Sequence, residues 1–237
     1  MIDETDITEE KRWLYETRAR KVITNLRRKN ISAQYVPSQQ EALSLVLGMI
    51  PPGVVVGRGD SMSVDQVGVI PELIKRNQNK VIDPFGEKAD GSPIIGTNLG
   101  RRLQRKALSS DIFLTGTNAI TLDGKLVNTD GYGNRVSAMI YGPKKVIVIA
   151  GANKIVKDVD EALERIRVIA APINAKRHYL KHPSLEKCGD LPCVRTGTCV
   201  NCNHDLRICH YTVIIDGAMK LHKGRIRVVL IGEELGI

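Results

Sequence analysis

The sequence predicts an α/β protein, a mainly parallel sheet with flanking helices, and two observations carry that prediction. Short apolar runs bounded by Gly, Pro or Asp alternate with stretches of helical period, the pattern of strands buried on both faces between layers of helix. The 237 residues are 42% hydrophobic and 26% charged, enough to bury a core and too apolar for a disordered chain.

The elements follow in order. Trp13, Leu14, Val22, Ile23 and Leu26 recur at helical spacing over residues 9–29, and Asn30 ends the pattern. Residues 31–36 (ISAQYV) read as a strand. Ser38 with Glu41 three positions on is a capping box, in which each side chain satisfies a free N–H, and it opens a helix over 38–49. Further strands are expected at 54–56, 80–83, 111–116 and 145–151. Two alternating segments around Asp123 and Gly124 predict a hairpin, because that dipeptide supplies the positive φ of a tight turn.

Helical patterns at 158–171 and 173–182 lead into a stretch rich in Cys, Gly, Asn and Pro, and the chain closes with strands at 212–216 and 225–232. Residues 1–237 thus read as one α/β domain, with a cysteine-rich insertion at 184–210 that is too long for a routine connection.

Composition narrows the function. No run approaches the roughly 18 apolar residues of a membrane span. The opening MIDETDITEEKRW is acidic where a secretory signal is basic and then apolar, so a cytoplasmic protein without a membrane span is expected. The net charge of +9 attracts anions in general. Its clusters, Arg18, Arg20, Lys21, Arg27, Arg28 and Lys29, then Arg101, Arg102, Arg105 and Lys106, fall on helices and read as solvated faces. One Trp, two Phe and six Tyr leave little to stack on bases, and nucleic acid is not an expected partner.

Two polar loops are candidates for ligand binding. Gly57, Arg58, Gly59, Asp60, Ser61 and Ser63 follow one strand and precede a helix; the glycines let the backbone approach an anion, the serines add donors and Arg58 adds charge. A third glycine at dinucleotide-binding spacing is missing, so the loop is no evidence for NAD, and a plain structural turn suits the same residues. Thr115, Gly116 and Asn118 end another strand, and Asp130, Asn134 and Arg135 follow the hairpin, where Asp130 serves either as a ligand anchor or base or as a helix cap. Both loops are expected at the carboxyl ends of parallel strands, converging on one pocket.

Residues 115–154, TGTNAITLDGKLVNTDGYGNRVSAMIYGPKKVIVIAGANK, together with GRGDSMS, resemble the signature regions of the LUD (lactate utilisation) family, in the same order along nearly the whole chain. The resemblance implies a fold related to sugar-phosphate isomerases and coenzyme A transferases. It also implies a small anionic metabolite, a carboxylate or phosphorylated acid, as ligand of an enzyme or accessory subunit in organic-acid oxidation. Iron–sulfur oxidoreductase subunits are implied as partners, and assembly into a homo-oligomer stays open.

All five cysteines lie between residues 188 and 209. Cys199 and Cys202 form a Cys-x2-Cys pair that brings two thiolates to one ion, and Cys193 and Cys209 complete four ligands, with Cys188 as the spare. An iron–sulfur cluster and zinc both accept four thiolates, and the spacing does not choose between them. Free or redox-active thiols are the competing reading. A second function class stays open with it: a metal-stabilised or redox-linked protein interaction module with the α/β body as scaffold. His178 and His182, four apart on a helix, read as solvated or capping residues.

Overall fold

Alternation inside a single strand sets the architecture. In the computed structural model, which describes residues 4–237 and the side chains of all of these but residues 183–185, the strand at 145–151 turns Val146, Val148 and Ala150 to one core and Ile147 and Ile149 to the other. A strand buried on both faces demands a layer of helices on each side, and the chain supplies them. Residues 1–3, the head of the acidic opening segment, lie outside the described residues.

The chain runs α1 (Thr8–Arg28), β1 (Ser32–Val36), α2 (Gln39–Gly48), β2 (Val55–Arg58), α3 (Met62–Val67), α4 (Val69–Arg76), β3 (Lys80–Ile82) and α5 (Asn98–Ala107). It continues through β4 (Ile112–Thr115), β5 (Ala119–Thr121), β6 (Leu126–Asp130), α6 (Asn134–Ile140), β7 (Lys145–Gly151) and β8 (Ile155–Val156). It closes with α7 (Val159–Arg165), α8 (Ala171–Lys181), α9 (Pro192–Thr196), β9 (Tyr211–Ile215) and β10 (Ile226–Ile231). The main sheet has the order β1-β10-β7-β4-β2-β3, and every neighbouring pair in it is parallel. Val22 and Leu26 of α1 pack on one face, and Val46, Val64 and Leu73 of α2, α3 and α4 on the other. A smaller mixed sheet, β8-β5-β6-β9, stands beside it.

Local chemistry accounts for two of the element ends singled out in the sequence. Ser38 Oγ accepts the Glu41 N–H at 3.3 Å and meets the Glu41 carboxylate at 3.2 Å, so the cap forms, with Glu41 held by the hydroxyl. In the β5–β6 hairpin only Gly124 takes a positive φ (+82°), and its N–H donates to Thr121 O at 2.8 Å. The connection is therefore a turn ending in a left-handed glycine, where two successive positive φ values were expected.

Two expectations are corrected. Trp13 is exposed, and the buried stripe of α1 begins only at Ala19. The two helices expected around Pro172 form one continuous run, because a wider π turn over Ile166–Ala170 interrupts the regular ladder where the proline lacks its N–H. The cysteine-rich segment holds a 3-10 stretch (Pro183–Asp190) and α9, then has no regular structure until β9. Its apolar support is a small cluster of Ala175, Cys188 and Leu191 with Cys193, Val194 and Ile208 against it. Among the described residues no helix is long and apolar enough to cross a membrane.

Candidate ligand-binding cleft

Three adjacent strands of the main sheet, β7, β4 and β2, deliver their carboxyl ends to one place. Asp60 and Ser61 follow β2, Gly116 and Asn118 follow β4, Lys154 follows β7, and all line one cleft of about 650 Å3. Loops at the carboxyl edge of a parallel sheet leave such a crevice because the chain must turn away there into its crossover. The other walls include Arg101 and Arg105 of α5, the Asp130–Arg135 loop, Asn174, Arg177 and His178 of α8, and the Asp205–Ile208 stretch with His210.

The two loops expected to converge do so. Asp60, Ser61, Gly116, Asn118, Asp130, Asn134 and Arg135 line the cleft, and the loops touch: a Cβ added to Gly116 would lie 2.7 Å from Ser61 Oγ. Gly57, Arg58, Gly59, Ser63 and Thr115 do not line it. A Cβ at Gly57 would stand 2.9 Å from Ser110 Oγ, and one at Gly59 3.1 Å from Arg135, so both glycines allow close packing. Thr115 is buried, its hydroxyl donating to Gly116 O.

Arg58 is spent on structure. It is 5% exposed, pairs with Asp65 at 2.6 Å and Asp83 at 3.8 Å, and lies over the Phe85 ring. Burial works against its charge, and the nearby aspartates outweigh that. At the start of α3 one N–H is already capped, that of Val64 donating to Ser61 Oγ. Asp130 behaves as the cap: its carboxylate accepts the N–H groups of Gly131, Arg135 and Val136 at 2.9, 3.0 and 3.2 Å.

Sequence reasoning missed the strongest electrostatic feature. Lys154 is 4% exposed and donates to Ser63 Oγ at 3.0 Å; burial, with Arg165 and Arg135 adding to it, pushes its ammonium down to about 7. Arg135, 8% exposed, donates to Asn128 Oδ1 (2.6 Å), Thr129 O (2.9 Å), Asn118 Oδ1 (3.1 Å) and Gly116 O (3.4 Å), all neutral acceptors. Arg165, equally buried, donates to Asn118 O and Asn153 O. Among the described residues none of these three cations has a carboxylate within ion-pair distance. Lys154 sits three residues beyond β7, so the carboxyl-end logic that singled out the other loops would have found it.

On the α8 side the charge is balanced. Asp60 pairs with Arg177, and His178 Nε2 lies 3.6 Å from the same carboxylate. Burial raises the Asp60 carboxyl, but Arg177 and its other cationic neighbours outweigh burial and hold it below the ordinary range. Burial drives His178 down to about 4 despite Asp60, so near neutrality it is uncharged and Arg177 is the partner that counts. His178 is therefore no solvated residue, and its Nδ1 is buried with no hydrogen-bond partner among the described residues. Arg101 and Arg105, read as solvated, stand exposed at the rim.

The cysteines separate into two environments. Cys188 is buried against Ala175 and Leu191 and lines the cleft. Cys193, Cys199, Cys202 and Cys209 together line a second cavity of about 40 Å3. Burial, and then the neighbouring Cys202, Cys209 and Cys199, push the Cys193 thiol up. All are free thiols, and among the described residues no three His, Cys, Asp or Glu side chains stand at metal-ligating spacing. The residue types fit a thiolate metal site and converge on one cavity, but their spacing is wider than bonds of about 2.3 Å allow.

The family model for the LUD domain matches residues 19–231. No curated protein matches the chain. Among solved structures, a DUF162 family protein from Deinococcus radiodurans is similar over 93% of this chain and 97% of its own, at 14% identity and a TM-score of 0.47. A D-ribose-5-phosphate isomerase in complex with phospho-erythronic acid is similar over 50% of this chain and 53% of its own, at 16% identity and a TM-score of 0.33. The ribose 5-phosphate isomerase from Plasmodium falciparum is similar over 50% and 52%, at 17% identity and a TM-score of 0.32.

Proposed function

Because the chain belongs to the LUD domain family, whose membership supports a role related to lactate utilisation, we propose that it binds a small carboxylate or phosphorylated acid in the cleft at the carboxyl edge of its main sheet. One observation carries this reading: Lys154, Arg135 and Arg165 are buried together with no carboxylate among the described residues to offset them. An unpaired buried charge costs several kcal/mol, so a fold that retains three side by side is matched to an anion that arrives from outside. The cleft as a whole leans the same way, with Arg101, Arg105, Arg135, Lys154, Arg177 and Arg207 set against Asp60, Asp130 and Asp205. Two of those aspartates are already engaged, Asp60 by Arg177 and Asp130 by backbone N–H groups.

In this arrangement Lys154 and Arg135 hold the anionic group, and the polar ends of Asn118, Asn134 and Ser61 orient the remainder. Calorimetric titration with L-lactate, inorganic phosphate and glycerol tests it. At least one of the anions binds and glycerol does not; Lys154→Met weakens the anion about 100-fold, near 3 kcal/mol, the worth of a charge-assisted hydrogen bond in a dry site. Equal affinity in wild type and variant, or no binding by either anion, removes the proposal.

A further inference from the structure

Arg207 and Ile208 stand between the two cavities and line both. On one side lies the cleft, which the stretch from Asp205 to Ile208 and then His210 closes. On the other lies the small cavity of Cys193, Cys199, Cys202 and Cys209. This wall has no regular secondary structure, and little apolar burial orders it: Ile208 reaches the small cluster under α8, whereas Val200 and Leu206 are exposed. Its ties are polar. Arg207 donates to Cys202 O at 2.9 Å and Cys209 O at 2.7 Å, closing the loop between those two cysteines, and His210 N–H donates to Asp130 O at 3.0 Å. Arg207 Nε is buried and has no hydrogen-bond partner among the described residues.

We propose that Cys193, Cys199, Cys202 and Cys209 bind one thiolate-preferring metal ion of the zinc class, and that this ion sets the position of the Asp205–His210 wall and with it the cleft's affinity for its anion. The second half rests on the anion-binding reading above; the first does not. The four cysteines come from separate points of a segment with little apolar packing, yet all of them line one cavity. Four cysteines on one cavity supply the complete tetrahedral set that an ion of the zinc class takes. The sulfurs must close in to reach bonding distance, and Arg207 and Ile208 sit between two of the ligands, so the wall moves with them. On binding, four thiols release four protons and one divalent ion forms four metal–sulfur bonds, with no change of oxidation state. For a segment with so small a core, that binding energy is ordering energy.

The test uses the full chain, stripped of metal with a chelator under reducing conditions and then titrated with cobalt(II) and zinc(II). Cobalt is expected to give the absorption of a tetrahedral tetrathiolate ion at one equivalent, with zinc displacing it and Cys202→Ser abolishing it. Backbone hydrogen exchange over 203–210 is expected to slow at least fivefold with zinc while α1 and β7 stay unchanged. Inorganic phosphate is expected to bind the zinc-loaded chain at least fivefold differently from the stripped chain. Absence of a tetrathiolate spectrum, iron with acid-labile sulfide in freshly purified protein, or a Cys199–Cys202 disulfide under reducing conditions overturns the metal site. A bound ion that leaves exchange over 203–210 unchanged overturns the coupling. Because exchange is read without any anion, these results stand apart from the fate of the Lys154→Met titration.

Discussion

Arg58 and Lys154 flank the same loop and are buried to the same degree, yet they are opposites. Arg58, at the end of β2, has Asp65 and Asp83 beside it, whereas Lys154 reaches the loop through the Ser63 hydroxyl and, among the described residues, has no carboxylate within ion-pair distance, with Arg135 and Arg165 near it. A buried cation with its carboxylates is a structural fastening; one without them leaves a demand the protein does not meet by itself. The difference separates the half of the loop that holds the fold from the half that faces the cleft.

The sharpest way to break this comparison is to remove each charge in turn. At pH 6, Lys154→Met is expected to raise stability by about 2–4 kcal/mol, because an unpaired buried ammonium is replaced by an apolar chain of similar shape. Arg58→Met is expected to lower it by about 2–3 kcal/mol; the figure is held down because Asp65 is 45% exposed and partly screened. Urea unfolding of the two variants beside wild type measures both, and a loss of similar size in each would erase the distinction.

A smaller effect per step lies in the pH dependence. The Lys154 ammonium is depressed from 10.5 to about 7 by burial first and by Arg165 and Arg135 next. Below pH 7 both folded and unfolded chains hold the proton and the full penalty applies. Between about 7 and 10.5 the unfolded chain holds more protons, so stability rises with pH there. Wild type should therefore gain on Lys154→Met by up to about 1.4 kcal/mol per pH unit in that window. An anion prefers the ammonium, so its affinity should fall as pH climbs above 7, by at most about tenfold per unit. Parallel stability curves for the two proteins from pH 7 to 9 would contradict the buried-charge argument.

The smallest expected change concerns the neighbouring loop. Asp130→Ala removes the cap on α6 and should cost about 1 kcal/mol in thermal unfolding. Its effect on anion binding should be far below that of Lys154→Met. If Asp130→Ala instead abolishes binding in a protein of unchanged stability, the carboxylate touches the ligand and the capping assignment falls.

The elements of the main sheet were legible because their signal is local. KVIVIAG is apolar at every second position on both faces, and only a strand between two helical layers buries it. Ser38 with Glu41 and Gly124 likewise act on backbone within a few residues. The placement of Asp60, Gly116 and Asn118 beside a cleft was legible for a similar reason, since the carboxyl end of a parallel strand is where the chain turns away. What a charged side chain does there was not. Arg58 looked like a ligand-binding group, and Lys154, beyond the strand expected at 145–151, had no assigned role. Their roles depend on which carboxylates the fold brings within a few ångströms from neighbouring elements, and Coulomb energy in a dry interior is decided by that distance and not by residue type. The shared wall at Arg207 and Ile208 belongs to the same class: it results from packing between distant segments, which only the tertiary structure settles.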